Sequence, residues 1–285
     1  MPNIAVVTDS TSYLTPEELK QWNIHEIPLN VVVNEETMPE TDWDAATYFQ
    51  TMRNSETLPT TSQPSPGKME DLYRELAREA DDIISIHLSS GISGTHQTAV
   101  AVAADLEDTV RVHCYDSEIS ARAQGYYVLT AARMASEGYS VADIFAELDK
   151  IKETMRAYFI VEDLRHLQRG GRLSGAQAMV GSMLRIKPVL EFTDKKIVPY
   201  EKVRTSKKAL ARIQSLFLEE AAKGPLEASV LHANAEEAGE AFRRELQEAS
   251  LESRIVLEHL GPVIGTHLGE NAIGLAWYRP DALSR

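Results

Sequence analysis

The sequence predicts a two-domain α/β protein. The N-terminal domain, residues 1–156, has a mainly parallel sheet with flanking helices, and residues 157–285 form a mixed α/β domain with a basic segment. Three observations predict it. Strand and helix signals alternate through the first half, the pattern of βαβ units. Past residue 186 the pattern changes to strand, turn, strand: Ile186 to Phe192, Asp194-Lys195-Lys196, then Ile197 to Tyr200, which reads as a hairpin. The 285 residues suffice for two medium cores, and no solenoid repeat or low-complexity segment interrupts them.

The elements follow in order. Ile4 to Thr8 alternates as a strand, and Thr15-Pro16-Glu17-Glu18 supplies a cap, an N1 proline and a capping-box glutamate for the next helix. A strand over Ile27 to Val33 precedes a helix over Asp44 to Arg53, and Ser65-Pro66 opens another to about Ala80. Ile83 to Leu88 reads as a buried strand, as does Val110 to Tyr115. Helices over Ala121 to Ser136 and from Ser140 to about Met155 complete this half. Beyond the hairpin, helices over Ser206 to Ala222 and Ala235 to Ala249 separate strands at Ala228 to His232, Arg254 to His259 and Ile273 to Tyr278.

A net charge of −14 argues against non-specific nucleic-acid binding. The positive charge is unevenly placed: residues 165–212 hold twelve Lys or Arg, among them Arg172, Arg185 and Arg204, against the acids Glu191, Asp194 and Glu201. That window could steer or dock something anionic, and reads equally as a solvated basic surface; it lacks the interleaved aromatics that nucleic-acid binding would use. The lone Cys114 excludes an internal disulfide and reads as a small buried hydrophobe. No apolar run approaches a membrane span, and the first residues enter a strand without a basic leader, so a cytoplasmic location is expected, with transient membrane contact allowed.

The most informative stretch is Ile83 to Thr95, where an apolar strand runs into Ser89-Ser90-Gly91-Ile92-Ser93-Gly94 and then a helix expected to begin at Ser93. Glycines let backbone approach a ligand, and a helix start offers unpaired N–H donors to an anion. Val7-Thr8-Asp9-Ser10 and Cys114-Tyr115-Asp116-Ser117 both place Asp-Ser after a strand, at the carboxyl edge where open α/β sheets bind ligands. Helix capping explains the same residues. Thr60 to Ser65 is a hydroxyl-rich loop before a proline-started helix.

Taken in order, Thr8-Asp9-Ser10-Thr11, Thr61-Ser62-Gln63-Pro64-Ser65, Ser89 to Thr95, Arg169-Gly170-Gly171-Arg172, Lys187-Pro188, Val203-Arg204-Thr205 and Gly261-Pro262-Val263-Ile264-Gly265-Thr266-His267 resemble the DegV family. The resemblance implies a two-domain fatty-acid-binding protein of the FakB kind, with the acyl chain buried between or within the domains and its carboxylate presented to a separate fatty acid kinase subunit for conversion to acyl phosphate. It implies that Thr61, Ser62, Ser93 and Gly94 hold the head group with Thr266 and His267 nearby, and that Arg172 and Arg204 dock the kinase or meet the phosphate. It implies no catalytic residue and no cofactor. Relatives commonly carry Pro-Gly where this chain has Glu270-Asn271. Neutral hydroxyl and amide donors suit a carboxylate that must remain exchangeable; a charged His267 would favour the anion at lower pH, and a neutral one could donate from one nitrogen. Affinity would come from the tail, since about 14 methylenes at about 0.8 kcal/mol each give a gross ~11 kcal/mol before ordering costs.

The alternative is a serine hydrolase acting on a lipid or ester, with Ser93 as nucleophile and His96 three residues on. Thr95 stands where a nucleophile elbow has its second glycine, and no orienting acid is visible. Dinucleotide and P-loop fingerprints are missing, and the eight histidines lack metal-ligand spacing, so no metal is expected.

Overall fold

Period-two alternation and buried hydroxyls build the first unit, which comprises Met1–Asp42 and Thr61–Glu153 of a computed structural model that describes residues 3–174 and 187–280. β1 (Ile4–Asp9) is followed by α1 (Pro16–Gln21), whose capping box forms as expected: Thr15 accepts the Glu18 N–H and Glu18 accepts the Thr15 N–H. The single strand expected over 27–33 is two, β2 (Ile24–Ile27) and β3 (Asn30–Val33). Pro28 lies between them and has no N–H to continue a ladder. Asn34 and Glu35, both at positive φ, turn the chain into β4 (Glu36–Pro39), a hairpin the sequence reading did not anticipate.

The chain passes through α2 (Ala45–Asn54), which belongs to the second unit, to β5 (Thr60–Ser62), expected as loop but paired with β3 at the edge of a three-stranded sheet. α3 (Pro66–Leu76) begins at the Ser65 cap and ends before the expected Ala80 in a tight turn. β6 (Asp82–His87), α4 (Thr95–Asp105), β7 (Arg111–Asp116), α5 (Arg122–Ser136) and α6 (Val141–Thr154) follow. The main sheet runs β2-β1-β6-β7 with every pairing parallel. The carboxyl ends of β1, β6 and β7 therefore share one edge. Val7 and Ile83 meet Met69, Tyr73, Ala99 and Leu106 in the core beneath α3 and α4.

The second unit comprises Trp43–Thr60 and Thr154–Arg285. The expected break at 156 assigned residues 43–60 to the N-terminal domain; the structure places them here because α2 buries Tyr48 and Phe49 against the C-terminal segment. β8 (Arg156–Ile160) and a short α7 (Arg165–Arg169) precede the expected hairpin of β9 (Lys187–Thr193) and β10 (Lys196–Val203), turned at Asp194 and Lys195, both at positive φ. Ile186 and Arg185 lie outside the described residues. α8 (Ser206–Ala221), β11 (Glu227–His232), α9 (Glu236–Ala249), β12 (Arg254–His259), α10 (Pro262–Leu268) and β13 (Ile273–Tyr278) complete a six-stranded sheet, β10-β9-β8-β13-β11-β12. β11 and β12 run parallel and the other neighbours antiparallel, the mixed sheet expected for this half. Phe217 meets Trp277 edge-on at 5.6 Å in its core.

Among the described residues, no helix is long and apolar enough to cross a membrane. α10 was not expected as a helix. It lies against α2 so closely that a Cβ on Gly265 would stand 2.7 Å from the Phe49 ring, itself fully buried. Gly265→Ala is expected to cost about 1–2 kcal/mol through overpacking, read as a lower urea midpoint at unchanged slope. An unshifted midpoint would mean that the ring moves freely.

Candidate functional site

The hydroxyl loop and the start of α4 meet in the first unit. Gln63 donates to the Thr98 hydroxyl at 2.5 Å, and its side-chain carbonyl lies on the Cα of Gly94, where any Cβ would collide with it. Ser62 and Thr61 thus stand one and two residues from a contact made by the residue after Ser93. All four predicted head-group residues of this unit are partly exposed. Ser62 accepts from Asn30 at 3.4 Å. The helix begins at Thr95, two residues later than expected, with Gly94 as its cap. Ser93 receives the Thr95 N–H at 3.3 Å and shares a hydrogen bond with the Thr95 hydroxyl at 2.9 Å. The hydrolase alternative needs a base at that hydroxyl; its partner is Thr95.

Loop backbone before Ser93 does not offer the free donors expected of it. Leu88 N–H goes to Asp9, Ser89 N–H to Ile119, Ser90 N–H to Asp116, Gly91 N–H to the Ser89 hydroxyl, and both Ile92 and Ser93 N–H to the Ser89 carbonyl. An anion that meets this loop would therefore do so through side-chain hydroxyls and the first turn of α4. Asp9, fully buried, also accepts from His87 Nδ1 at 3.0 Å and from the Thr11 N–H and hydroxyl. Burial works to raise its pKa, but the hydrogen bond and field of His87, with those of Thr11 and Leu88, hold it below the ordinary carboxylate range. The imidazole continues through Ser85 at 2.8 Å to Tyr73 at 2.7 Å.

In the second unit, Thr266 is buried on α10, donates to the Pro262 carbonyl at 2.7 Å and bonds the Tyr48 hydroxyl. His267 stacks its ring on Gly170 and stands in the field of Arg172, so the structure brings two predicted residues together. Burial, then Arg172 and His166, push its pKa down to about 3. Of the two states the sequence leaves open for His267, the structure selects the neutral imidazole at working pH. Arg172 is half-buried and Arg204 exposed. Leu173 bridges Ile197 in β10, and Arg204 lies beyond that strand's far end, so about 20 Å of strand separates the two arginines. They do not form one anion site.

The basic window is partly neutralised: Arg165 pairs with Asp163, Lys187 with Glu162, and Arg212 with Glu201 and Glu219. Its Arg185 lies outside the described residues. Burial pushes the Cys114 thiol up to about 12, consistent with packing rather than reactivity. Among the described residues, no group of three or more His, Cys, Asp or Glu could hold a metal ion. Sequence reasoning missed Gln63, the clamp on Gly94, and Tyr48, the partner of Thr266. Gln63 lay inside the quoted Thr61 to Ser65 motif, but nothing in it told a clamp from a solvated side chain.

Comparison with known proteins agrees with this architecture. A family model described as an uncharacterised protein of the DegV family matches residues 3–280. Protein DegV of Bacillus subtilis is 50% identical over 278 residues, covering 96% of this chain and 99% of that one. The crystal structure of DegV from Bacillus subtilis, described as a fatty acid binding protein, superposes with a TM-score of 0.93 at 49% identity over 98% of this chain and 100% of that one. A DegV family protein from Thermus thermophilus, described by its fatty acid binding, gives 0.91 at 33% identity over 98% and 100%. With half its residues shared along nearly the full length of a named relative, the chain belongs to the DegV family.

Proposed function

We propose that this chain binds a long-chain fatty acid, shelters its tail among apolar side chains, and presents the carboxylate to a separate kinase subunit in the cytoplasm, which phosphorylates it to an acyl phosphate. The observation that carries the reading is the clamp of Gln63 on Gly94 and Thr98, which sets Thr61, Ser62 and Ser93 beside the start of α4. Hydroxyls and helix amides hold an anion without a formal counter-charge, so the acid stays exchangeable. Relatives described as fatty acid binding, one of them nearly half identical, support the same ligand class. Thr266 and His267 enter the proposal on their chemistry: a hydroxyl oriented by Tyr48, and an imidazole that remains neutral and can donate from one nitrogen. The chain itself supplies no chemical step.

Denaturing mass spectrometry of the purified protein tests this directly. A released fatty acid is expected, and protein that is clean and also ignores added fatty acids refutes the carrier reading. Replacing Thr61 and Ser93 together by Ala is expected to reduce phosphorylation of the bound acid by about a hundredfold or more, two hydrogen bonds to a charged group at about 1.5–3 kcal/mol each, while tail uptake changes little. Unchanged phosphorylation would remove both from the head-group site. Arg172→Glu is expected to weaken coupling to the kinase while fatty acid binding persists; equal loss of both would make this half-buried arginine structural.

A further inference from the structure

The two Asp-Ser echoes after β1 and β7 have no part in holding a fatty acid directly, yet both grip the loop that carries Ser93. In the sheet order β2-β1-β6-β7, Asp9 and Asp116 end the strands on either side of β6. Asp9 takes the Leu88 N–H at 3.0 Å and Asp116 the Ser90 N–H at 3.2 Å, with Ser89 N–H held between them by the Ile119 carbonyl at 2.7 Å. We infer that Asp9 and Asp116 are positioning residues of the head-group cradle, two carboxylates that clamp the β6 loop from opposite sides and so set where the Ser93 hydroxyl and the first turn of α4 stand.

A buried polar line fixes the first clamp. Tyr73, Ser85, His87 and Asp9 follow one another at 2.7, 2.8 and 3.0 Å. All four are fully buried. The Ser85-His87-Asp9 order has the connectivity of a hydrolytic relay, but no substrate reaches a serine at zero exposure, so the relay positions rather than reacts. Tyr73 sits on α3, whose first turn follows the Thr61–Ser65 segment, and thereby ties the second half of the cradle to the same line. A hydroxyl recognises a carboxylate only when held to within about half an ångström, so loosening either clamp should degrade head-group recognition before it touches the tail.

The inference rests on the fatty acid reading, and its test separates the two. The full chain and its Asp9→Asn and Asp116→Asn variants are compared for binding of oleic acid and of oleyl alcohol, by displacement of a fluorescent fatty acid probe. Affinity for the acid is expected to fall about tenfold with that for the alcohol unchanged, since each variant weakens a charged acceptor. An acid-to-alcohol ratio equal to the wild type's overturns the inference, and so does an equal loss for both lipids, which would make the carboxylates merely stabilising. Should Asp9→Asn fail to fold, Asp116→Asn, at a partly exposed residue, decides alone. Wild-type protein that binds neither lipid refutes the fatty acid reading instead. Hydrogen exchange then settles the clamp: faster exchange of amides 88–93 in Asp116→Asn supports it, and unchanged exchange overturns it.

Discussion

Asp9→Ala is expected to cost about 3–5 kcal/mol of folding stability, because several buried donors share this one carboxylate and lose their acceptor together. The carboxylate and the His87 ring are both inaccessible to solvent, 3.0 Å apart. Removing it strands the His87 Nδ1–H, the Leu88 N–H and the Thr11 N–H in the protein interior, with no water to replace the lost acceptor. Urea denaturation followed by far-UV dichroism gives the number, and a loss below about 1 kcal/mol would show that the network re-forms without its carboxylate. Asp9→Asn keeps volume and one acceptor and is expected to lose about 1–3 kcal/mol. Because the folded-state pKa of Asp9 is depressed, its contribution is present above the unfolded value of 3.8 and is lost as pH falls through the lower folded value.

The second large effect is a pair of opposed pH dependences. His267 has a folded pKa of about 3 against 6.5 in the open chain, so below pH 6.5 the unfolded state takes up a proton that the folded state refuses, and stability falls as pH falls. Glu26 runs the other way. Burial and the charge of Asp9 raise it to about 7 from 4.5, so between those values the folded protein keeps a proton that the unfolded chain releases, and stability falls as pH rises. Between pH 4.5 and 6.5 the two slopes cancel. In Glu26→Gln the His267 slope stands alone, and stability is expected to drop by about 2 kcal/mol from pH 6.5 to 4.5 relative to wild type. In His267→Gln it is expected to rise by a similar amount over the same interval. Burial also lowers His25, His232 and His259, a common background that differences between variants remove. Parallel pH curves for wild type and both variants would show that neither group is perturbed when folded.

Much of the fold was legible because local signals and burial agree. Thr15, Ser65 and Thr205 each cap the helix they were expected or placed to open, and Asp194-Lys195 turns the hairpin foreseen between residues 186 and 200. Elements were missed where a short segment is held by its neighbours: β5 has three residues and depends on β3, and α10 has seven and packs through Gly265 on Phe49. Neither carries enough periodicity to announce itself. Candidate residues were legible as clusters of hydroxyls and glycines, but the Asp-Ser pairs, seen as an edge motif, gave no hint of which amides they would bind.

By itself the sequence determined what depends on adjacent residues: the alternation that makes a parallel sheet, the caps, the turn types, and the hydroxyl-rich strand ends that resemble one family. Tertiary structure decided everything that depends on which partners meet. It consumed the amides of Leu88 to Ser93, neutralised His267 beside Arg172, set Arg172 and Arg204 apart, and sealed a serine, a histidine and an aspartate into a line no substrate enters. The physical reason is that hydrogen-bond supply and desolvation are settled by neighbours distant in the chain, and a side chain's chemistry follows the company that burial gives it.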